Sequence, residues 1–444
     1  MTVPARPENV GIKAIELYFP KKYVDQVELE KHDAVSAGKY TIGLGQEKMS
    51  FCDDREVVKQ FMSKYNIDYK DIGRLEVGTE TLIDKSKSIK SFLMSLFEDS
   101  GNFSVEGIDT TNACYGGTSA LFNALQWVDS RAWDGRLALV VAGDIAVYAS
   151  GNARPSGGAG VSCILVGPNA PLSIEFPIRG TFMEHCYDFY KPDLSSEFPT
   201  VDGPLSVISY LKALDYAYLG YLEKLEKTEN IKLASLADID YLVFHSPYTK
   251  QVAKGFARLL FNDYLRNPTN PDFAEIAAQF PNETLESSYT NKNLERLLIS
   301  LSKPLYSQKT IPSLLAAKNI GNMYTGSVFF GLASLLSSTN VSAADLSQKR
   351  IAMFSYGSGC AASMYSFIVT GNASSVVEKI DLEARLNNRI AVSPSDFEAI
   401  MSLRENVHNK VSYSPQGPVS DLFSGTVYLD SVDSMWRRSY KTSQ

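Results

Sequence analysis

The 444-residue chain carries 43 lysines and arginines against 50 aspartates and glutamates, a formal charge of −7, with 44% hydrophobic and 21% charged residues. That composition is ordinary for a globular protein and excludes collagen-like, low-complexity and wholly disordered chains. The acidic balance disfavours nucleic acid as a partner, while leaving room for a local basic patch facing one small phosphorylated ligand.

In chain order, MTVPARPENVGIKAIELYF reaches a strand-like segment by about Val10, which leaves no room for a charged leader and an apolar signal core. A reducing, cytosolic location is therefore expected. The run Arg74 to Leu82 (RLEVGTETL) reads as a strand ending in polar residues, followed by a turn and helix at TNACYGGTSALFNALQW. Two further strands follow, RLALVVAGDIAVYA from Arg136 and GVSCILVGP from Gly160. Phe176 to Pro204 shows neither a helical nor a strand period and reads as a long loop.

The same order of parts then returns. Ile239 to Lys250 (IDYLVFHSPYTK) is a strand with a polar end, NIGNMYTGSVFFGLASLL supplies the turn and helix, and strands follow from Lys349 and Ala362. This favours an α/β fold built from two similar halves, residues 1–172 and 173–444, with an insertion near 262–310. Strand and helix orders repeat often in α/β proteins, so the pattern alone leaves the duplication open. Asn319 to Ala344 carries no charge over 26 residues, yet its Asn, Gly, Thr and Ser content points to a buried turn and helix rather than a membrane span. The last segment, from about Pro415, is expected to pack on the core.

Five cysteines and four histidines lie scattered, with no CxxC pair and no histidine pair at ligand spacing, so neither a disulfide framework nor a metal is expected. Cys114 sits at a turn-to-helix junction, where free N–H groups and the helix dipole favour a thiolate. His245 closes a buried strand, and ligands in open α/β sheets bind at strand ends. Glu80 holds the matching place in the first half, where an embedded carboxylate has a raised pKa and can serve as a base. Lys250, Lys254 and Arg258 recur every four residues and form one basic helical face, which suits a phosphate-bearing ligand and equally an ordinary solvated surface. GGAG (Gly157 to Gly160) and YGSG (Tyr356 to Gly359) match neither a P-loop nor a dinucleotide fingerprint.

Eight segments together resemble the 3-hydroxy-3-methylglutaryl-CoA (HMG-CoA) synthase family of the thiolase superfamily. They are GKYTIGLGQEKMSF, RLEVGTETLIDKSKS, TNACYGGTSALFNA, GDIAVYASGNARPSGGAG, YDFYKPDL, VFHSPYTKQVAKGFARL, GNMYTGS and YGSGCAASMYS. The resemblance implies a thiolase-like fold of two duplicated halves in five α-β-α-β-α layers, with the active site at their junction. It implies condensation of acetyl-CoA with acetoacetyl-CoA to give HMG-CoA and CoA in the mevalonate pathway to isoprenoids and sterols. The CoA thioesters are substrates, no cofactor or metal is implied, and a cytoplasmic homodimer is.

On matching positions, Cys114 becomes the nucleophile, Glu80 the general acid/base, and His245 the group that orients and polarises acetoacetyl-CoA. Asn322 is implied to bind that second substrate, Lys250 and Lys254 to meet the CoA phosphates, and Tyr115, Asp144, Asp188 and Ser358 to line the site. The chain is expected to lack the mitochondrial leader and the long C-terminal extension of some members. A decarboxylating ketoacyl synthase also uses Cys, His and Asn, but makes its enolate without a carboxylate base, and Glu80 argues against it. A cysteine hydrolase would acylate without condensing, and a dead scaffold would bind CoA esters without acylating Cys114.

Overall fold

The structure, a computed structural model, describes residues 6–54 and 61–444; the first five residues, where the leader was sought, lie outside them. In the first half run β1 (Gly11–Tyr18), β2 (Ile72–Gly78), β3 (Asp109–Thr110), helix α1 (Gly116–Val128), β4 (Leu137–Ala146) and β5 (Gly158–Gly167). The second half supplies β6 (Leu172–Met183), helices α2 (Gly203–Glu229) and α3 (Thr249–Arg266), β7 (Tyr241–Phe244), helices α4 (Lys292–Lys309) and α5 (Ser327–Leu336), β8 (Arg350–Gly357) and β9 (Ala361–Val369).

The nine strands form one sheet in the order β7-β8-β9-β6-β1-β5-β4-β2-β3. Read outward from the β1–β6 contact at Gly11 and Ile12, the order is mirrored, β1-β5-β4-β2 against β6-β9-β8-β7. In both halves the inner pairs are antiparallel and the outer pair, β2–β4 or β7–β8, is parallel.

Strand alternation sorts side chains into layers. Ala138, Val140 and Ala142 of β4, with Ile351 and Met353 of β8, face a central core shared with Leu121, Phe329 and Leu332 from α1 and α5. Leu139 of β4 points the other way, toward Leu75, Met62 and Phe97. Ala352, Phe354 and Tyr356 of β8 pack on α2 and α3 through Tyr210, Leu214 and Phe256. The layers are thus outer helices, sheet, α1 with α5, sheet, then α2 with α3. Because α5 lies between two sheet halves, all ten of its residues are buried, which accounts for the uncharged stretch around it. Among the described residues no helix is long and apolar enough to cross a membrane.

Two expectations need correction or refinement. Phe176–Met183 is strand rather than loop, pairing with β9; Pro177 and Arg179 hide its alternation, although Ile178 is buried and Gly180 lies where a Cβ would sit 1.9 Å from the Ala217 carbonyl oxygen of α2. Beyond it, Phe189–Tyr190 pairs with Thr200–Val201. The polar insertion is helical, and α4 lies against α3 through Leu294, Leu298 and Phe261. The C-terminal segment forms a hairpin, Val427–Val432 with Arg438–Thr442, with Val432 buried.

Candidate active site

Cys114 stands in the turn before α1. Its neighbour Ala113 has φ +43°, and Tyr324, in the turn before α5, has φ +44°. Such conformations cost on the order of 1–3 kcal/mol each in residues with a side chain, and the pair marks the equivalent place in the two halves. Gly117 lets the two turns meet, since a Cβ there would lie 2.5 Å from the Thr325 carbonyl oxygen and 2.7 Å from the Ala142 Cβ.

Glu80 lies just past the end of β2. Its Oε1 receives the Cys114 thiol at 3.7 Å and its Oε2 meets the Lys191 Nζ at 3.2 Å. Burial, with a smaller push from Asp144, raises the Glu80 pKa to about 7, against the pull of Lys191. The Cys114 thiol is pushed well above its ordinary value by burial and by the nearby Glu80 and Asp144 carboxylates. This corrects the expectation of a lowered thiol pKa: in the ligand-free site, desolvation and two acidic neighbours outweigh the helix terminus.

Asp144 is buried in β4 and holds the Glu80 loop in place. Oδ1 accepts from Thr79 Oγ1, Glu80 N, Thr81 N and Thr81 Oγ1 at 2.7–2.9 Å, and Oδ2 accepts from Thr325 N and Oγ1 at 3.1 and 2.6 Å. One carboxylate therefore ties the general-acid/base candidate to the turn before α5. Asp188, also buried, accepts from Tyr356 Oη at 2.6 Å and Gly359 N at 2.9 Å, bracing the turn that carries Ser358. That turn lies on the Cys114 turn: Asn112 Nδ2 donates to the Ser358 carbonyl at 3.2 Å, and a Cβ on Gly357 would sit 2.5 Å from Tyr115 N. The Tyr115 hydroxyl is engaged with Ser363 Oγ at 2.8 Å.

His245 follows β7, its N–H donating to the Phe354 carbonyl at 2.7 Å and its carbonyl accepting from Tyr210 Oη at 2.9 Å. Burial lowers its pKa to about 3, so the ring is a neutral imidazole at physiological pH. Asn322 precedes α5, and its Oδ1 accepts from Tyr324 N at 2.9 Å and Ser327 Oγ at 3.0 Å. Contacts of the turns before α1 and α5 with the ends of β2, β4 and β8 thus bring Glu80, Cys114, Ser358 and the turn carrying Asn322 together, with His245 at the end of β7, the strand beside β8.

The basic face of α3 divides. Arg258 is buried and paired with Asp215 at 2.8–3.0 Å, so it is structural rather than a phosphate contact, because α2 covers that part of the helix. Lys254 pairs with Glu295 at 3.4 Å, while Lys250 is half-buried beside Leu44, to whose carbonyl its backbone N–H donates. A cavity of about 950 Å³ lies on the opposite face of the first half's sheet, walled by Leu75, Val77, Leu139 and Val141. Glu80, Cys114 and His245 are not in its wall.

The hydroxymethylglutaryl-coenzyme A synthase N-terminal family model matches residues 6–171, and the C-terminal one matches residues 172–443. The chain belongs to the HMG-CoA synthase family. It is 52% identical to the hydroxymethylglutaryl-CoA synthase of Gibberella zeae, covering 98% of this chain and 99% of that one. To the Homo sapiens hydroxymethylglutaryl-CoA synthase named cytoplasmic, it is 53% identical over 98% of this chain and 87% of the other. Among solved structures, MvaS in complex with 3-hydroxy-3-methylglutaryl coenzyme A superposes with a TM-score of 0.84 at 31% identity, covering 99% of this chain and 100% of that one. The HMG-CoA synthase family has the thiolase-like fold, and it is a family of acyl-transferring condensing enzymes.

The sequence assigns no role to Lys191 within YDFYKPDL, nor to Thr79, Thr81 and Thr325, which saturate Asp144. A lysine beside two aromatic residues in an irregular segment was the available signal. Nothing in the sequence spacing brings residue 191 to residue 80.

Proposed function

We propose that this HMG-CoA synthase condenses acetyl-CoA with acetoacetyl-CoA and water, releasing HMG-CoA and CoA, in the cytoplasmic mevalonate pathway to isoprenoids and sterols. The observation that carries the reading is the Cys114 thiol against the Glu80 carboxylate at 3.7 Å. Cys114 Sγ attacks the acetyl thioester carbon, the bond to the CoA sulfur breaks, and the departing thiolate takes up the proton that the Cys114 thiol gives up. Glu80, as carboxylate, then removes a proton from the acetyl methyl. Backbone N–H groups at Cys114 and in the Ser358 turn stabilise the enolate oxygen, each contributing roughly 3–4 kcal/mol.

The enolate carbon attacks the acetoacetyl ketone, which neutral His245 and Asn322 orient, and protonated Glu80 gives its proton to the new alkoxide. Water hydrolyses the Cys114 thioester, freeing the carboxylate of HMG-CoA and regenerating the thiol. Asp144 and Asp188 act by fixing the Glu80 loop and the Ser358 turn, and Tyr115 by fixing the Cys114 turn. Lys250 and Lys254 meet the CoA phosphates. Residues 1–172 form the half carrying Glu80 and Cys114, and residues 173–444 the half carrying His245 and Asn322, with the insertion near 262–310; the mirrored strand order supports that division. CoA thioesters are the substrates, with no further cofactor, and the assembly is a homodimer.

Intact mass after brief mixing with acetyl-CoA tests the reading. One acetyl group is expected on the wild type and none on Cys114→Ser, with HMG-CoA released when acetoacetyl-CoA is added. An unmodified, folded, reduced wild type overturns the proposal.

A further inference from the structure

Among the described residues, Lys191 is the one cation within ion-pair distance of Glu80. The two carboxylate oxygens are divided, Oε1 toward the Cys114 sulfur and Oε2 toward the Lys191 ammonium. The ammonium lies 4.8 Å from the centre of the Tyr324 ring and 5.8 Å from that of Phe189. Those two rings meet edge to face at 5.7 Å, and Tyr148 closes the group at 6.2 Å from Tyr324 and 6.5 Å from Phe189.

The segment bearing Lys191 is held from both sides. Phe189 and Tyr190 pair with Val201 and Thr200, and the preceding Asp188 spans to Tyr356 and Gly359 through its carboxylate. The backbone strain at Tyr324 thereby has a use: it presents the ring that receives the ammonium, and a cation over an aromatic face is stabilised when desolvated.

We propose that Lys191 is a positioning residue for the condensation step, holding the Glu80 carboxylate by one oxygen and leaving the other toward the acetyl group on Cys114. The inference rests on the acid/base role given to Glu80 above. The groups facing Glu80 are the Cys114 thiol before α1, the Asp144 carboxylate on β4, the phenols of Tyr148 and Tyr324, and the Lys191 ammonium. Burial and Asp144 favour the protonated acid, and Lys191 opposes both. Asp144 spends its oxygens on six hydrogen bonds to the Thr79–Thr81 loop and Thr325, so its carboxylate is fixed in place beside Glu80. Removing the ammonium shifts Glu80 further toward the neutral acid, the form that cannot take a methyl proton.

The test compares full-length wild type, Lys191→Met, Lys191→Gln and Lys191→Arg in two assays across pH 6 to 9: acetylation of Cys114 by acetyl-CoA, and HMG-CoA formation from the acetylated enzyme. In Lys191→Met and Lys191→Gln the acid limb of condensation should move up by about one pH unit or more, an about fivefold or greater loss at pH 7 that narrows as pH rises. Acetylation should stay within about threefold of wild type, and Lys191→Arg should restore most of the profile. An unmoved limb in a variant that still acetylates overturns the proposal and leaves the Glu80 reading intact. Equal loss of both half-reactions at every pH, unrelieved at high pH, also overturns it by showing a structural role. A wild type that fails to acetylate overturns the parent reading instead.

Discussion

Glu80 is a carboxyl group with its side chain 7% exposed and its pKa raised to about 7, so near neutrality it populates both the base and the acid forms that one catalytic cycle needs. Glu80→Ala should still be acetylated on Cys114 but should not form HMG-CoA; equal loss of both half-reactions would contradict the assigned role. The same shift bears on stability. A carboxyl whose folded pKa lies above its unfolded value stabilises the fold at low pH, and that contribution is lost as pH rises from about 4.5 through about 7. Glu80→Gln has no such slope, so relative to wild type it should gain roughly 3 kcal/mol between pH 4.5 and 8. Chemical denaturation of both proteins at the two pH values measures this, and an unchanged difference would mean that Glu80 titrates alike folded and unfolded. The places of Cys114, in a turn before a helix, and of His245, at the end of a buried strand, were legible in the sequence because both are local patterns. The upward shift of the thiol was not, because it comes from Glu80 and Asp144, which only the folded chain brings near.

Helix α3 shows why residue spacing alone misassigns roles. Lys250, Lys254 and Arg258 share a helical face, but the neighbours differ along it: Leu44 beside the first, Glu295 of α4 beside the second, Asp215 of α2 around the third. Arg258→Ala would leave the Asp215 carboxylate buried with Asn262 and Tyr289 as its remaining partners. It should cost about 3–5 kcal/mol, while KM for acetyl-CoA in the folded fraction stays unchanged. Lys250→Ala should do the reverse, raising KM several-fold at low salt with little change in melting temperature. Thermal melts and initial rates at two ionic strengths separate the two outcomes, and a KM effect confined to Arg258 would reverse the assignment. Most strands were legible as apolar runs, and the β6 extension was not, because Pro177 and Arg179 interrupt a face whose burial depends on the Ala217 backbone of α2.

Across the whole molecule, the two ends of the sheet are finished differently. At the β7 end, Thr310 Oγ1 donates to the Leu242 carbonyl at 3.0 Å, and the chain after α4 covers the strand. At the β3 end, Ile108 is 58% exposed and Phe103 70% exposed, beside a strand of two residues. Apolar side chains at an open strand edge are a liability that proteins pair or cover. A sequence read strand by strand cannot reveal this, since the sheet order joins segments more than a hundred residues apart and only that order says which strands are edges. In the proposed homodimer the second copy is placed at the β3 edge, which lies outside the mirrored order and exposes Phe103 and Ile108. The wild type should therefore sediment at twice the 48.9 kDa of the chain, and Phe103→Lys combined with Ile108→Lys should sediment as a monomer with its melting temperature lowered by loss of the partner. A doubly substituted protein that remains dimeric would move the interface elsewhere, and a monomeric wild type would remove the homodimer altogether.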